Sequence, residues 1–306
     1  MSAVPTIGQS LRRANELLSA VSESPRLDAE LLLGAALGLG RTALIARSEE
    51  PVGPGEAQRY GTLLAERVAG VPVAYLLGRR EFWSLELEVS SAVLVPRPET
   101  ETLVEQALAL LPAAAPCAVL DLGTGSGAIA IALAHERPQA RLVAVELSEA
   151  ALAVARRNAA RLVPGRIDVQ AGSWYEPLAG ERFDVIVSNP PYIAEGDRAL
   201  AALAAEPPLA LVSGPSGLEA LTAVIAGARD HLIAGGALLL EHGADQGPAV
   251  ARLLETHGFA SIQTYTDGAR RPRVTAARNP SEPGRVTRAE DFGHTDPLRL
   301  SPGTSS

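Results

Sequence analysis

From residue 118 onward the chain alternates short, unbroken apolar runs with helical stretches, and no other feature restricts its fold as much. The runs fall at Ala118–Leu122, Leu142–Val145, Ile167–Val169, Val185–Val187 and Ala237–Leu240, each followed by a helical stretch or a loop. A strand with one wet face alternates polar and apolar side chains; a strand apolar throughout is covered on both faces. Such strands, separated by helices, predict an α/β domain with a mostly parallel sheet between two helical layers. Ala260–Tyr265 and Val274–Ala277 lie close together in sequence and predict an antiparallel pair that finishes the sheet.

The residues ahead of this region follow other periods. Between residue 7 and about residue 70 the spacing is helical. Leu11, Ala14, Leu17, Leu18 and Val21 form one inward stripe, and Ala29, Leu32, Leu33, Ala36 and Leu37 form a second. Ala57, Leu63 and Leu64 form a third, over a helix from about Gly55 to Val68. This small helical bundle carries no titratable constellation, which suits a docking module better than a reactive site. Phe82, Leu85, Leu87 and Val89 then alternate with polar residues, and Val93-Leu94-Val95 follows Ser90-Ser91, which predicts a hairpin over 81–95. Pro96-Arg97-Pro98 stops it, and Glu99–Leu111 is amphipathic. Beyond Asn279 apolar periodicity gives way to Pro, Ser, Gly and charge, so residues 280–306 are expected to be a disordered tail.

A net charge of −8 disfavours holding nucleic acid by phosphate neutralisation. The single cysteine, Cys117, excludes an internal disulfide and a cysteine metal site, and its apolar surroundings make it a buried hydrophobe. No metal site is expected. Apolar stretches are broken well before the length of a membrane span, and Met1–Ser10 lacks the pattern of a secretory signal. The expectation is a soluble protein of the cytoplasm.

Asp121-Leu122-Gly123-Thr124-Gly125-Ser126-Gly127 follows a predicted strand and opens a helix at Ala128. Glycines there let the backbone turn tightly and approach a ligand, at the strand end where open α/β sheets bind. Glu146 ends the next predicted strand, placed to accept hydrogen bonds from two ribose hydroxyls. Gly123, Gly125 and Ala128 also satisfy the dinucleotide fingerprint. The loop therefore locates a nucleotide-like cofactor without separating a dinucleotide from S-adenosylmethionine, although Asp121 and the third glycine, Gly127, lean towards the latter.

Asn189-Pro190-Pro191-Tyr192 follows the predicted strand Phe183–Ser188 and carries the chemistry. Asn189 offers a side-chain oxygen, and the prolines fix a backbone carbonyl at Pro190. Together these can grip both hydrogens of a planar NH2 group, and Tyr192 offers a flat face for stacking. Such a nitrogen is a poor nucleophile because its lone pair is delocalised. Positioning it in line with an electrophilic methyl is the main lever, on the order of 7–11 kcal/mol. The hydrogen bonds to Asn189 and Pro190 strengthen as positive charge develops on nitrogen.

These residues resemble the release factor glutamine methyltransferases, the HemK/PrmC family, over roughly residues 10 to 278. The motifs are Pro72–Gly78, Glu81-Phe82-Trp83, Pro96–Glu101, Asp121–Gly127, Asn189–Tyr192 and Leu240-Glu241-His242-Gly243. The resemblance implies a Rossmann-like S-adenosylmethionine-dependent methyltransferase fold over 99–279, an N-terminal helical substrate-docking domain over 1–75 and a hairpin linker over 76–98. It implies methyl transfer to the glutamine amide of the Gly-Gly-Gln loop of class I peptide chain release factors. By position, Gly123, Thr124, Gly125, Ser126, Gly127, Glu146, Trp174 and Asn189 would contact the cofactor, with Trp174 near the adenine. Asn189, Pro190, Pro191 and Tyr192 would hold the glutamine, with Asn189, Pro190 and Tyr192 catalytic. Three positions depart from the family pattern: Glu146 stands where Asp is usual, Ala205 precedes Glu206-Pro207 where an aromatic is common, and the Ala199–Ala205 loop is short and apolar.

Asn-Pro-Pro-Tyr is shared with nucleic-acid amine methyltransferases, so methylation of adenine or guanine is the alternative reaction, and a non-catalytic cofactor-binding protein is a third reading. His242 reads as a strand-end polar residue, since the transfer needs no strong base. Arg97 is a candidate for steering substrate, and Arg270, Arg271 and Arg273 read as a solvated basic face.

Overall fold

The structure is a computed structural model and describes residues 4–280. The tail expected to be disordered lies, from residue 281, outside the described residues. Five helices come first: α1 (Ile7–Leu18), α2 (Pro25–Leu37), α3 (Arg41–Ala46), α4 (Pro54–Val68) and α5 (Val73–Leu77). A hairpin follows, β1 (Arg79–Phe82) and β2 (Leu85–Glu88). Next come α6 (Glu101–Leu110), β3 (Cys117–Leu122), α7 (Ala128–Glu136), β4 (Ala140–Glu146), α8 (Glu149–Leu162) and β5 (Ile167–Ala171). The chain closes with β6 (Phe183–Ser188), α9 (Glu219–His231), β7 (Leu232–Glu241), α10 (Gly247–Thr256), β8 (Ala260–Thr266) and β9 (Pro272–Arg278).

The helical bundle has its own core of Ile7, Ala14, Leu18, Leu32, Leu33, Leu44 and Tyr60. Leu17 and Val21, expected to face inward, are 49% and 40% exposed, because Ile7, Ala14 and Leu18 already complete the buried stripe of α1. Two acidic side chains are buried instead. Asp28 accepts from Arg67 Nε at 2.8 Å and from Ser22 Oγ at 2.7 Å, and Glu30 is held by Arg26 and Arg41. The Asp28–Arg67 pair ties α2 to α4. The arginines hold the Glu30 carboxyl below its ordinary value against the opposing effect of burial, which is the largest single influence.

The hairpin is shorter than its sequence pattern. Its turn is Trp83-Ser84, both left-handed at φ 52° and 57°, and pairing stops at Arg79↔Glu88. Left-handed residues at both central positions give the turn that matches strand twist, and it usually carries Asn-Gly or Asp-Gly. Val93-Leu94-Val95 forms no strand: Val93 O accepts from Tyr75 Oη and Val95 N donates to Glu206 Oε2. Its alternation reflects burial against Val89, Ala151 and Val154 rather than a ladder.

The main sheet has seven strands in the order β5-β4-β3-β6-β7-β9-β8, parallel except for β9, which is antiparallel to both neighbours. Its two faces separate residue by residue. Val119, Leu142, Val185, Val187 and Leu239 face α6 and α7, while Leu120, Leu122, Val143, Ile186, Leu238 and Leu240 face α9 and α10. Covering both faces is what makes these strands continuous apolar runs. The edge strands β5 and β8 hold most of the exposed positions. Among the described residues no helix is long and apolar enough to cross a membrane. Cys117 is buried, as its apolar run implied.

Candidate active site

The strand order turns at β3. From there β4 and β5 build outward on one side, and β6, β7 and β9 on the other. The carboxyl ends of β3 and β6 lie side by side, with Asp121 opposite Val187 and Leu122 opposite Ser188. This is the switch point at which open α/β sheets bind ligands. Ser188 Oγ donates to Leu122 O at 2.7 Å and pins the two ends together just before Gly123 and Asn189 diverge. An open cleft lies above them.

The wall over β3 is the glycine loop. Gly123 N and Thr124 N donate to Val145 O at 2.9 and 3.1 Å, which folds the loop over the end of β4. Gly125 has φ 58°, and a Cβ there would meet no protein atom within 4 Å, so it would project into open space at the cleft. Gly127 has φ 86° and caps α7, and a Cβ there would stand 2.9 Å from Ile131 Cδ1. Beneath the loop Asp121 is fully buried and accepts from Thr124 Oγ1 at 2.6 Å and Ala130 N at 3.2 Å. Burial pushes its carboxyl up to about 7.

Glu146, at the end of β4, points both carboxylate oxygens along the cleft floor. Oε2 accepts from Gly125 N and Oε1 from Ser148 N, each at 2.9 Å. One donor per oxygen leaves acceptor capacity on both, so the carboxylate can hold the loop and receive hydroxyls together. Trp174 follows β5 with a left-handed backbone (φ 47°), a conformation that costs about 1–3 kcal/mol and is kept where surroundings demand it. Its ring lies over the loop, with Cζ3 3.6 Å from the Cβ position of Gly123. A flat ring, an acidic acceptor and exposed loop backbone form a donor and acceptor set that fits an adenosine.

The opposite wall is Asn189 and Pro191. Pro190 is buried, and neither it nor Tyr192 lines the cleft. Tyr192 packs against the α9–α10 core, and its carbonyl accepts from Gln246 Nε2 at 3.0 Å. Burial, with Glu241 nearby, pushes its phenol up to about 12. Gly123–Ser126, Glu146, Trp174, Asn189 and Pro191 therefore converge on one cleft, while Gly127, Pro190 and Tyr192 support it from behind.

Arg97 lines the cleft mouth and is paired with Glu206, which also accepts from Val95 N. That buried glutamate ties the loop after Tyr192 to the segment after the hairpin, and Pro207, Leu209 and Ala210 bring this loop onto the cleft. His242 is buried, and its ring nitrogens lie 2.8 Å from Gly243 O and Thr275 Oγ1. Burial holds the imidazole below its ordinary value. The basic face expected at Arg270, Arg271 and Arg273 is divided: Arg273 is largely buried in a pair with Asp267, because β9 carries it inward beside His242.

Sequence reasoning gave no role to Thr100, Asn158, Glu206 or Glu241. Asn158 on α8 is fully buried, its amide donating to Glu88 O and Ser126 O and accepting from Glu88 N. It fastens the hairpin to the glycine loop. Thr100 and Glu241 stand inside motifs already quoted, which was the available signal.

Family comparisons agree with this geometry. Residues 9–78 match the PrmC N-terminal domain and residues 100–259 the methyltransferase small domain. The release factor glutamine methyltransferase of Xylella fastidiosa is 51% identical, covering 86% of this chain and 97% of that protein. The Escherichia coli protein of the same name is 47% identical, covering 88% of this chain and 97% of its own length. Among solved structures, a Pyrococcus furiosus methyltransferase shares the fold at a TM-score of 0.50 and 19% identity, covering 72% of this chain and 99% of that one. Identity near one half over 86–88% of the chain leaves one conclusion: the chain belongs to the release factor glutamine methyltransferase family.

Proposed function

We propose that this chain methylates the side-chain amide nitrogen of the glutamine in the Gly-Gly-Gln motif of class I peptide chain release factors. It is an S-adenosylmethionine-dependent protein methyltransferase. The observation that carries the reading is the meeting of the glycine loop and Asn189-Pro190-Pro191-Tyr192 at adjacent strand ends. The cofactor, when bound, supplies an electrophilic methyl on a sulfonium.

Gly123, Thr124, Gly125, Ser126 and Glu146 hold the cofactor's polar groups, Trp174 covers its flat base, Gly127 fixes the loop, and Asn189 borders both ligands. Asn189 Oδ1 and the Pro190 carbonyl accept the two amide hydrogens, so the nitrogen lone pair turns towards the methyl. Pro191 sets the backbone angle. Tyr192 backs the turn from the α9–α10 core and holds it in place through Gln246. As the new bond forms, nitrogen gains positive charge and the two accepted hydrogen bonds tighten. The N-terminal bundle docks the release factor, a protein partner consistent with the net charge of −8, and nucleic acid takes no part. The site of action is the cytoplasm, where that partner works.

The test is methyl acceptance from labelled S-adenosylmethionine by a class I release factor, with the label located by mass spectrometry. Label on the Gly-Gly-Gln glutamine is expected. Label elsewhere, or acceptance destroyed by nuclease, would overturn the assignment.

A further inference from the structure

Holding the acceptor amide requires Asn189 to offer its oxygen, not its NH2, to the cleft. The two ends of an asparagine side chain have nearly the same shape but opposite hydrogen-bonding character. Something must choose between them. Thr100, 4% exposed at the entry to α6, lines the cleft beside Asn189, and Glu241, 1% exposed at the end of β7, lies outside the lining. Asn189 Nδ2 donates to Thr100 Oγ1 at 3.3 Å. The Thr100 and Asn189 side chains both lie near enough to the Glu241 carboxyl to favour its ionised form. Its Oε2 is buried without a protein partner, and Glu241 does not line the cleft.

We propose that Glu241, acting through Thr100, is the positioning residue that sets the direction of this hydrogen-bond chain and so fixes Asn189 with its oxygen towards the acceptor amide. A hydroxyl both donates and accepts, so Thr100 alone leaves either orientation of Asn189 open. An ionised carboxylate only accepts. Facing it, Thr100 Oγ–H donates to Glu241, the Thr100 oxygen keeps its lone pairs for Asn189 Nδ2, and Asn189 Oδ1 is left to the cleft. The buried negative charge also polarises the asparagine amide, which strengthens its oxygen as an acceptor when positive charge develops on the substrate nitrogen. A protonated Glu241 can donate as well as accept, and the direction is then no longer fixed.

Charged and titratable groups face the carboxyl from several elements. Arg273 on β9 favours the ionised form, and Glu99 beside Thr100 opposes it. Tyr192 after β6 stays a neutral phenol, and burial holds the adjacent His242 imidazole below its ordinary value. Burial outweighs the favourable partners and raises Glu241 to about 7. Ionisation is therefore complete above that pH and lost as pH falls through it.

The inference rests on Asn189 gripping the acceptor amide, and one set of variants separates the two ideas. The measurement is kcat and KM for cofactor and release factor, from about pH 6 to about pH 9 so as to bracket that titration, for wild type, Glu241→Gln, Thr100→Val, Thr100→Ser and Asn189→Ala. Glu241→Gln is expected to lower kcat about 10–100-fold, the scale on which losing an orienting partner acts. KM for the cofactor should hold, and the wild-type fall in kcat at low pH should vanish. Asp121 also titrates near 7, so loss of that limb in Glu241→Gln is diagnostic rather than the limb itself. Thr100→Val should match Glu241→Gln, and Thr100→Ser, which keeps the hydroxyl, should restore most activity. A wild-type kcat and pH profile in Glu241→Gln, with Asn189→Ala inactive, overturns the chain and spares the reading of Asn189. Full activity in Asn189→Ala overturns both. If Glu241→Gln fails to fold, equal kcat in Thr100→Val and Thr100→Ser overturns the proposal.

Discussion

At the cofactor end of the cleft the contacts run largely through backbone groups at adjacent strand ends, whereas at the acceptor end three side chains arrive from three separate elements. Glu146 accepts from Gly125 N and Ser148 N, and the loop itself hangs from Val145 O. Thr100, Asn189 and Glu241 instead come from the entry to α6, the exit of β6 and the end of β7. At the backbone-built end a lost carboxylate or an added Cβ is felt in how firmly the loop and its ligand are held. A side-chain-built end fails when a single donor or acceptor is lost. On the proposed reading the first binds and the second reacts, so damage to each should surface in a different kinetic constant.

The sharpest break is Asn189→Ala. Removing a preorganised hydrogen-bonding group from a reacting centre costs on the order of 10²–10³ in kcat. Steady-state methyl transfer should show that loss with KM for the cofactor little changed. A rise in cofactor KM alone would erase the contrast between the two ends. Glu146→Ala should do the reverse. Hydrogen bonds to a charged group are worth about 1.5–3 kcal/mol, so cofactor Kd measured by calorimetry should rise roughly 10- to 100-fold, with kcat at saturation within a few-fold of wild type. The mildest expected effect is that of Gly127→Ala. A left-handed backbone carrying a Cβ costs about 1–2 kcal/mol. At roughly 2–4 °C per kcal/mol for a domain of this size, melting should drop by a few degrees, and cofactor Kd should move less than in Glu146→Ala. Unchanged melting would show that the loop relaxes away from Ile131.

Most of the sheet was legible because each strand states its own burial. Leu142–Val145 and Val185–Val187 are apolar at every position, and the structure covers both of their faces. The hairpin was less legible. Trp83-Ser84 lacks the Asn-Gly or Asp-Gly that normally marks a two-residue turn, and Val93–Val95 imitates a strand because its alternate residues pack against α8. The arginines at 270, 271 and 273 look alike in sequence, yet Asp267 and the inward course of β9 bury one of them.

What the sequence determined by itself was whatever a short window encodes: strand periodicity, the glycines that permit left-handed turns, and the proline-fixed Asn-Pro-Pro-Tyr turn. These are local properties of the backbone and survive without knowledge of neighbours. Only the tertiary structure decided which polar residues share a space. Glu241 ends a strand that pairs with the one ending before Asn189, and the entry to α6 brings Thr100 against Asn189. Hydrogen-bond direction depends on which atoms face each other within about 3 Å, and sequence spacing carries no such information between residues on separate elements.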